Sequence, residues 1–426
     1  MLMAGIFIAM LIMICINIPI AVALAMCGVL GLLLTEGSGS LVTIALDMYD
    51  GSTKFSLIAI PMFVLAGAIM NAGGITDKLI NFVSAIIGFI RGGLAMVNIG
   101  VSLFFAEISG SAVADVAAMG SILIPQMKKR GYSKEFSAAV TSSSASLAII
   151  IPPSIPMILY AASANTSVEQ LFVAGIVPGL LGAAGLMVVA YLFAKRYNFP
   201  TEDAFNFARL RVTFVEALPA FTLPVIILGG IFGGYVTATE AAGLAVLASV
   251  VVAAWYGNLD VQHLRRAMLD GGIQTAVVML LVAASVLMGG FLTRAQIPQQ
   301  LAEGILSITT QQWAILLILN FFFLIVGFFL HSAAAIILVI PIVIPLITAA
   351  GIDPVHFGLV VTLNLAIGQQ TPPVASVLIT ACSVARANIW EVSKVNIWFV
   401  GVLLLVLMLC TYVPAVPMFL VEYFYR

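Results

Sequence analysis

Residues 123–154 read LIPQMKKRGYSKEFSAAVTSSSASLAIIIPPS, and residues 343–374 read VIPLITAAGIDPVHFGLVVTLNLAIGQQTPPV. In each stretch a proline and a glycine precede an apolar run with almost no charge, and a Pro–Pro pair ends that run. The pairs Pro152–Pro153 and Pro372–Pro373 are 220 residues apart, and the earlier prolines and glycines keep the same offset. Proline lacks the amide hydrogen that continues a helix, so each pair interrupts one. We therefore predict two related halves, each built around a broken helix inside a membrane.

The composition is that of a membrane protein. Hydrophobic residues make up 62% of the 426 residues and charged residues 8%, and the mean hydropathy is +1.19. A soluble chain of this length could not bury so much apolar surface. The apolar runs are long, which favours helices over a β-barrel. The net charge of −1 argues against a nucleic-acid partner.

Cysteines and motifs exclude several kinds of chemistry. The sequence contains no Walker, HExxH, GxSxG or CxxC motif, so we expect neither an ATP-driven pump nor an enzyme. The first apolar stretch follows no basic segment and is too long for a secretory leader, so we expect a retained span. The cysteines lie in apolar runs, which predicts small apolar side chains and neither disulfides nor metal ligands. They are Cys15, Cys27, Cys382 and Cys410.

Long apolar runs predict membrane-spanning helices, with Pro19 as an irregularity in the first. The predicted spans are residues 3–34, 55–71, 171–194, 217–234, 238–257, 272–293 and 396–421. We also predict a polar connection at 35–54 and amphipathic helices at 75–90 and 297–309.

Shorter apolar runs predict two re-entrant helical hairpins. Residues 94–106 and 113–127 would form arms of roughly 20 Å, shorter than the ~30 Å hydrocarbon core, around the polar tip EISGSAVAD. Residues 314–330 and 335–349 repeat this pattern, with a tip near 327–333. Non-helical backbone at this depth must be buried in protein or line an aqueous cavity.

The predicted fold is therefore an all-α polytopic membrane protein made of two repeats. The first repeat spans 1–194, with a hairpin at about 94–127 and a broken helix at 134–164. A cytoplasmic linker spans 195–216. The second repeat spans 217–426, with a hairpin at about 314–349 and a broken helix at 355–387.

Positive charge orients the predicted spans. If the linker is cytoplasmic, so are the loops 72–93, 128–134, 258–271 and 386–395. Of the 17 Lys and Arg residues, all but Lys54, Arg294 and Arg426 then lie inside, as the positive-inside rule requires. This orientation places the N-terminus inside and the C-terminus outside, and it makes the halves an inverted repeat, which is typical of transporters.

Helix breaks inside a membrane expose backbone groups. Carbonyl-rich C-terminal ends suit a small cation such as sodium, and N-terminal ends suit an anionic group. A single Pro–Pro pair is usually only a kink, but the duplicated arrangement favours a functional site. We expect one cluster from the tip 109–112 with the segment 148–154, and a second from 327–333 with 368–372.

Polar residues in or beside the apolar runs have both functional and structural interpretations. A buried acid in a membrane is costly and often functional, so Glu107, Asp115 and Glu240 are candidates, although a helix N-terminus also favours Asp115. Thr239 is predicted to cap a helix with Glu240 in its first turn. His331 at the second tip could respond to pH.

The serine triplet Ser142–Ser144 is expected to consist of small packing residues and not to bind a ligand.

Several motifs together resemble the large membrane subunit of tripartite ATP-independent periplasmic (TRAP) transporters, over about residues 1–425. They are SGSAVADVAAMGSILIPQMKKRGY followed by IIIPPSIPMILYAASA, and AIPMFVLAGAIMNAGG, TATEAA, AGIDPVHFG and IGQQTPPV. The resemblance implies an elevator-type fold, in which a scaffold holds a mobile domain of two hairpins and two broken helices. It also implies sodium-coupled uptake of an organic acid, a periplasmic binding protein, and a small four-helix membrane subunit as partner, all at a bacterial inner membrane.

The resemblance also implies site residues, many of which would act through backbone carbonyls. One sodium site would involve Ser109, Ser111, Ala148, Ile151 and Pro153, and the other Gly327, Gly368, Thr371 and Val374. We expect the substrate between the tips, near Ser111, Ser154, Thr371 and Ser376. No cofactor other than the coupling ion is expected. The chain departs from the family pattern at His331, where relatives often carry an acid, and at Gln369 and Gln370, where they are often apolar.

The sequence thus predicts a sodium-driven permease subunit for an organic acid such as a dicarboxylate, sialic acid or sugar acid. A standalone sodium- or proton-coupled carrier of the same superfamily is an alternative. The two hypotheses differ in whether uptake requires a periplasmic binding protein. A channel or a purely structural membrane subunit is a further alternative, and a channel would conduct without saturation or ion coupling.

Overall fold

The computed structural model covers the chain and describes all residues except 1, 17, 38, 202–203, 258–259, 373 and 426. Within its helices, no side chain is described for residues 2–4, 7, 11, 14–15, 40–41, 43 and 107–109. The described residues form helices and connections without a β-strand.

The first half contains ten α-helices within the described residues. They are α1 (Leu2–Cys15), α2 (Ile20–Glu36), α3 (Ser40–Ser52), α4 (Ala59–Ala72), α5 (Ile75–Ile87), α6 (Gly93–Ser109), α7 (Ala112–Lys129), α8 (Lys134–Ala145), α9 (Ile155–Ala164) and α10 (Val168–Arg196). Single 3₁₀ turns, Phe55–Ile58 and Ser146–Ile149, precede α4 and extend α8.

The second half has a similar order of elements. They are α11 (Phe207–Pro224), α12 (Gly230–Phe232), α13 (Ala238–Trp255), α14 (Val261–Arg294), α15 (Ile297–Ile308), α16 (Gln312–Phe329), α17 (Ser332–Ala349), α18 (Pro354–Gly368), α19 (Ser376–Ala385), α20 (Ile389–Tyr412) and α21 (Ala415–Tyr425). The π-helical segment Val225–Gly229 joins α11 to α12.

Within the described part of the chain, eight helices are long and apolar enough to cross a membrane. The protein is therefore a multi-pass membrane protein. The predicted hairpins are present as α6–α7 and α16–α17, and the broken helices as α8–α9 and α18–α19. The hairpin arms are longer than predicted, with 17 or 18 residues each, and α16 and α17 are among the eight helices long enough to cross the membrane. Pro373, in the second break, lies outside the described residues.

The prediction of one span at residues 3–34 was wrong. The Cys27 sulfur lies 3.8 Å from the Ile6 carbonyl oxygen, whereas residues this far apart in one continuous helix would be separated by roughly 30 Å. Helix α2 therefore folds back against α1. Pro19 immediately precedes α2, where its missing amide hydrogen and fixed φ angle suit the start of a new helix.

Other predicted boundaries also change. The polar connection 35–54 contains the helix α3, and the last predicted span divides into α20 and α21 around Val413–Pro414. The span predicted at 272–293 belongs to the 34-residue α14, which begins earlier because the Asp260 carboxylate accepts the His263 amide at 2.6 Å.

The cap predicted at Thr239 belongs instead to Thr237. The Thr237 hydroxyl accepts the Glu240 amide at 3.3 Å, and the Glu240 carboxylate accepts the Thr237 amide at 2.8 Å. This reciprocal pair is a capping box, so Glu240 has a structural role at the start of α13.

Two groups of helices carry the site. The hairpins and broken helices form what we name the central unit, in which α7 packs against α8 and α19 while α17 packs against α9 and α18. Each hairpin therefore contacts both broken helices. Beside this unit, α2, α4, α13 and α14 pack together as what we name the frame. Large buried side chains such as Tyr160, Phe323 and Phe357 fill the space inside the central unit.

Candidate functional site

The tips of both hairpins meet at one cavity of about 610 Å³. Residues at the N-terminal ends of α7, α9, α17 and α19 line it. These residues are Ala112, Val113, Ile155, Pro156, Ser332, Ala333 and Ser376. Because a helix N-terminus carries the positive end of the helix dipole and amide hydrogens that have no partner within the helix, the four ends together favour a negatively charged occupant.

The side chains on the cavity wall are neutral polar or apolar. Among the described lining residues no Lys, Arg, Asp or Glu is found, and the polar groups include Ser111, His331, Gln369, Ser376 and Thr380. Amide and hydroxyl groups can orient a ligand by hydrogen bonds without a fixed charge. The cavity therefore combines an electropositive backbone with uncharged side chains.

The frame supplies the remaining wall. Val64 of α4 and Ile273, Gln274, Val277 and Val278 of α14 line the same cavity. Gln274 also lines a smaller neighbouring cavity of about 60 Å³, together with Asn71 of α4 and Ala114 and Ala118 of α7. The site thus lies between the central unit and the frame. Sequence analysis missed Gln274, for which the only signal was a single amide near the start of an apolar run.

The first predicted ion cluster comes together around Gly110. A Cβ atom built on Gly110 would lie 2.9 Å from the Pro153 carbonyl oxygen and 3.3 Å from the Ile155 amide nitrogen. Gly110 has φ of +58°, a conformation that glycine adopts without cost. The first hairpin tip therefore contacts the backbone of the first break directly.

The other members of that cluster lie close to the same break. Ala148 and Ile151 are buried, and the amide of Ile151 donates to the Leu147 carbonyl at 2.8 Å. Ser111 lines the cavity beside Gly110. The side chain of Ser109 lies outside the described residues.

The second predicted ion cluster has a comparable glycine contact. A Cβ atom built on Gly368 would lie 2.6 Å from the Gly327 Cα atom, so the two backbones touch. The amide of Thr371 donates to the Gly368 carbonyl at 3.0 Å, and the amide of Val374 donates to the Phe328 carbonyl at 3.3 Å. The structure thus brings together all four residues predicted for this cluster.

Of the residues predicted to contact substrate, Ser111 and Ser376 line the cavity. Ser154 and Thr371 are not among the lining residues. The Ser154 hydroxyl donates to the Ile149 carbonyl at 2.7 Å and accepts the Met157 amide, which caps α9. The Thr371 hydroxyl donates to the Ile367 carbonyl at 3.1 Å. These two side chains stabilise the breaks locally.

The other polar candidates occupy different positions. His331 lines the cavity and accepts the Ala333 amide at 3.4 Å, so it caps α17. Asp115 is fully buried in the first turn of α7 and is not among the lining residues. The side chain of Glu107 lies outside the described residues. Cys27, Cys382 and Cys410 are free, and they are buried, as their apolar runs predicted; the side chain of Cys15 is not described.

The predicted serine triplet does more than pack. Ser142, Ser143 and Ser144 are fully buried in α8, and Ser143 and Ser144 hydrogen-bond to side chains of other helices. Sequence analysis did not identify their partners, because those residues are distant in the chain.

Paired hairpins and broken helices whose tips meet at a cavity within a membrane bundle are typical of the class of secondary transporters. Comparison with known families identifies the branch of that class. The model of the family described as "Tripartite ATP-independent periplasmic transporter, DctM component" matches residues 7–416. The chain belongs to this family, whose members are transporter components and not enzymes.

Relatives agree with this family assignment, and a solved structure has a similar fold. The chain is 38% identical over 407 residues to the isethionate TRAP transporter permease protein DctMQ of Oleidesulfovibrio alaskensis, covering 95% of this chain and 64% of that protein. It is 35% identical over 442 aligned positions to the C4-dicarboxylate TRAP transporter large permease protein DctM of Vibrio cholerae, covering 99% and 97%. The YdaH transporter of Alcanivorax borkumensis has a similar fold, with a TM-score of 0.67, 14% identity and 89% of each chain covered.

Proposed function

We propose that this chain is the large permease subunit of a sodium-coupled transporter that takes up an organic anion across a bacterial inner membrane. The observation that carries the proposal is the convergence of four helix N-termini on one cavity with no ionised side chain among its described lining residues. Binding of an anion there is favoured by backbone amides, whose direction is fixed by the helices.

The relatives support an anionic substrate. One is named for isethionate and another for C4-dicarboxylates, and both molecules are anions. A cavity of about 610 Å³ has room for such a small organic acid together with water. We propose a carboxylate or sulfonate of this size as the substrate.

Sodium coupling is proposed from the chemistry at the two breaks. Sodium favours several hard oxygen ligands, and backbone carbonyls and hydroxyls supply them without a fixed charge. At the first break Gly110 lies against the Pro153 carbonyl, and at the second Gly327 lies against Gly368. Bound sodium would supply positive charge beside the anion, so that the pair enters the membrane interior with less electrostatic cost.

We further propose that the central unit moves as a body relative to the frame. The cavity lies at the boundary between the central unit and the frame. On the central-unit side, small residues such as Gly110, Ala114 and Ala117 have few side-chain atoms that could interdigitate with the frame. Sliding at this boundary would expose the cavity to each side in turn. The partners we propose are a small four-helix membrane subunit beside the frame and a periplasmic binding protein that delivers the anion.

Uptake into proteoliposomes tests the proposal. Vesicles would contain this chain with its small subunit, and radiolabelled C4-dicarboxylate or isethionate would be added with its binding protein under an inward sodium gradient. We expect uptake that saturates and that stops when choline replaces sodium.

Uptake that is unchanged in choline would refute sodium coupling. Uptake that proceeds without the binding protein would refute the tripartite mode of delivery and leave a standalone carrier. Uptake that rises linearly with anion concentration would identify a channel.

A further inference from the structure

A buried polar contact joins the two broken helices through side chains that are not among those lining the cavity. The Ser143 hydroxyl of α8 lies 2.7 Å from Gln370 Oε1, in the second break, and 2.7 Å from Asn396 Oδ1 of α20. None of the three residues is more than 1% exposed. This contact spans 227 residues of chain between Ser143 and Gln370.

The two amide groups are held in fixed orientations. Asn396 Nδ2 donates to the Gln370 carbonyl at 3.1 Å, and Gln370 Nε2 donates to the Ala366 carbonyl at 3.2 Å. Both amide oxygens must therefore face Ser143, whose hydroxyl has a single proton to donate. Rotation of either amide would place two carbonyl oxygens against each other. The serine is thus the common donor to two acceptors, and all three side chains are buried.

Each end of this contact adjoins one predicted ion cluster. Gln370 lies between Gly368 and Thr371 of the second cluster. On the other side, the Ser146 hydroxyl donates to the Ser143 carbonyl at 2.7 Å, and Ser146 begins the 3₁₀ turn that contains Ala148 of the first cluster. Hydrogen bonds therefore connect Gln370 to the first break through Ser143.

We propose that Gln370 is a positioning residue that couples the two ion clusters, with Ser143 as its partner on the first broken helix. This inference rests on the proposed function. Separating the two residues would leave the buried Gln370 Oε1 without its donor, which is costly in an apolar interior. An ion that orders the second break therefore also orders the first, so the two binding events favour each other.

Sodium dependence of uptake tests the coupling. The variants are Ser143→Ala and Gln370→Met, which remove the donor and the acceptor. A matched control is Ser102→Ala: Ser102 is an equally buried serine, but its hydroxyl donates to Ser144 at 2.8 Å, within the first half. We expect a Hill coefficient for sodium above one in the wild type and in the control. In Ser143→Ala and Gln370→Met it should fall to one, with half-saturating sodium raised at least about fivefold.

A second measurement reports sodium binding directly, so it also applies to variants that fold but do not transport. The unfolding midpoint of the purified two-subunit complex would be followed against sodium concentration, since bound sodium raises it. In Ser143→Ala and Gln370→Met we expect the unfolding midpoint to lose its cooperative dependence on sodium concentration. In Ser102→Ala we expect this dependence to remain.

Three results would overturn the inference. They are a wild-type Hill coefficient of one, an unchanged Hill coefficient in both coupling variants, and an equal decrease in the Ser102→Ala control. Wild-type uptake without any sodium dependence would instead refute the proposed function itself, so the two failures are distinguishable.

Discussion

The contact between Gly327 and Gly368 provides the sharpest test of the second ion cluster, through the substitution Gly368→Ala. The added Cβ atom would lie 2.6 Å from the Gly327 Cα atom and 2.7 Å from its carbonyl carbon. Carbon atoms pack at about 3.5 Å or more, so the second hairpin must move by about 1 Å. The obstacle is backbone, so no side-chain rotation can relieve it.

Two energetic effects of this substitution oppose each other. Alanine at the end of α18 gains about 1 kcal/mol of helix propensity over glycine. Overpacking a close contact costs about 1–3 kcal/mol, so the net change in the free energy of unfolding is small or unfavourable. The larger consequence is functional, because ligand oxygens displaced by about 1 Å no longer surround a sodium ion. We expect half-saturating sodium to rise at least tenfold, which corresponds to about 1.4 kcal/mol.

The assay is initial-rate uptake in proteoliposomes as a function of external sodium. The matched control is Gly401→Ala in α20, where an added Cβ atom meets nothing within 4 Å. This control should transport like the wild type and be slightly more stable. If Gly368→Ala also shows the wild-type sodium dependence, then the second cluster does not bind the ion.

Three further substitutions test the cavity, a helix end and a cap. Gln274→Ala removes a frame side chain from the cavity wall. The loss of one hydrogen bond to the anion, worth about 0.5–1.5 kcal/mol, should raise the KM for the anion about 2- to 12-fold in uptake assays without changing the sodium dependence. An unchanged KM would exclude contact between Gln274 and the anion. Lys54→Met removes the ammonium group that donates to the Ala162 carbonyl at 2.7 Å, near the C-terminus of α9. The free energy of unfolding, measured by thermal unfolding, should fall by about 0.5 kcal/mol. Lys54→Arg keeps the positive charge beside the helix dipole and should therefore keep most of this stability. Thr237→Ala breaks the capping box of α13 and should lower the free energy of unfolding, measured with a chemical denaturant, by about 1 kcal/mol. Thr237→Ser keeps the hydroxyl and should lower it far less. Equal losses in the two variants would show that the hydroxyl is not the stabilising group.

Local chemistry determined much of the fold. Proline pairs, short apolar runs and small-residue tips predicted both hairpins and both broken helices, because a missing amide hydrogen or an unpaired backbone leaves few alternatives inside a membrane. The duplicated offset also indicated which residues belong to corresponding breaks. Predicted boundaries were wrong where a single local signal was ambiguous, as at Pro19, which starts a helix that folds back instead of bending a continuous span.

Long-range packing decided the rest. No local pattern predicts that Ser143 meets Gln370 and Asn396, since each is merely a polar residue in an apolar helix until the helices pack. The contribution of Gln274 to the cavity has the same origin, because it depends on α14 lying beside the hairpin tips. The sequence by itself determined where the helices break, because proline and glycine act on their own backbone. Only the tertiary structure decided which of the resulting helix ends face one another, because that choice depends on side-chain packing between segments hundreds of residues apart.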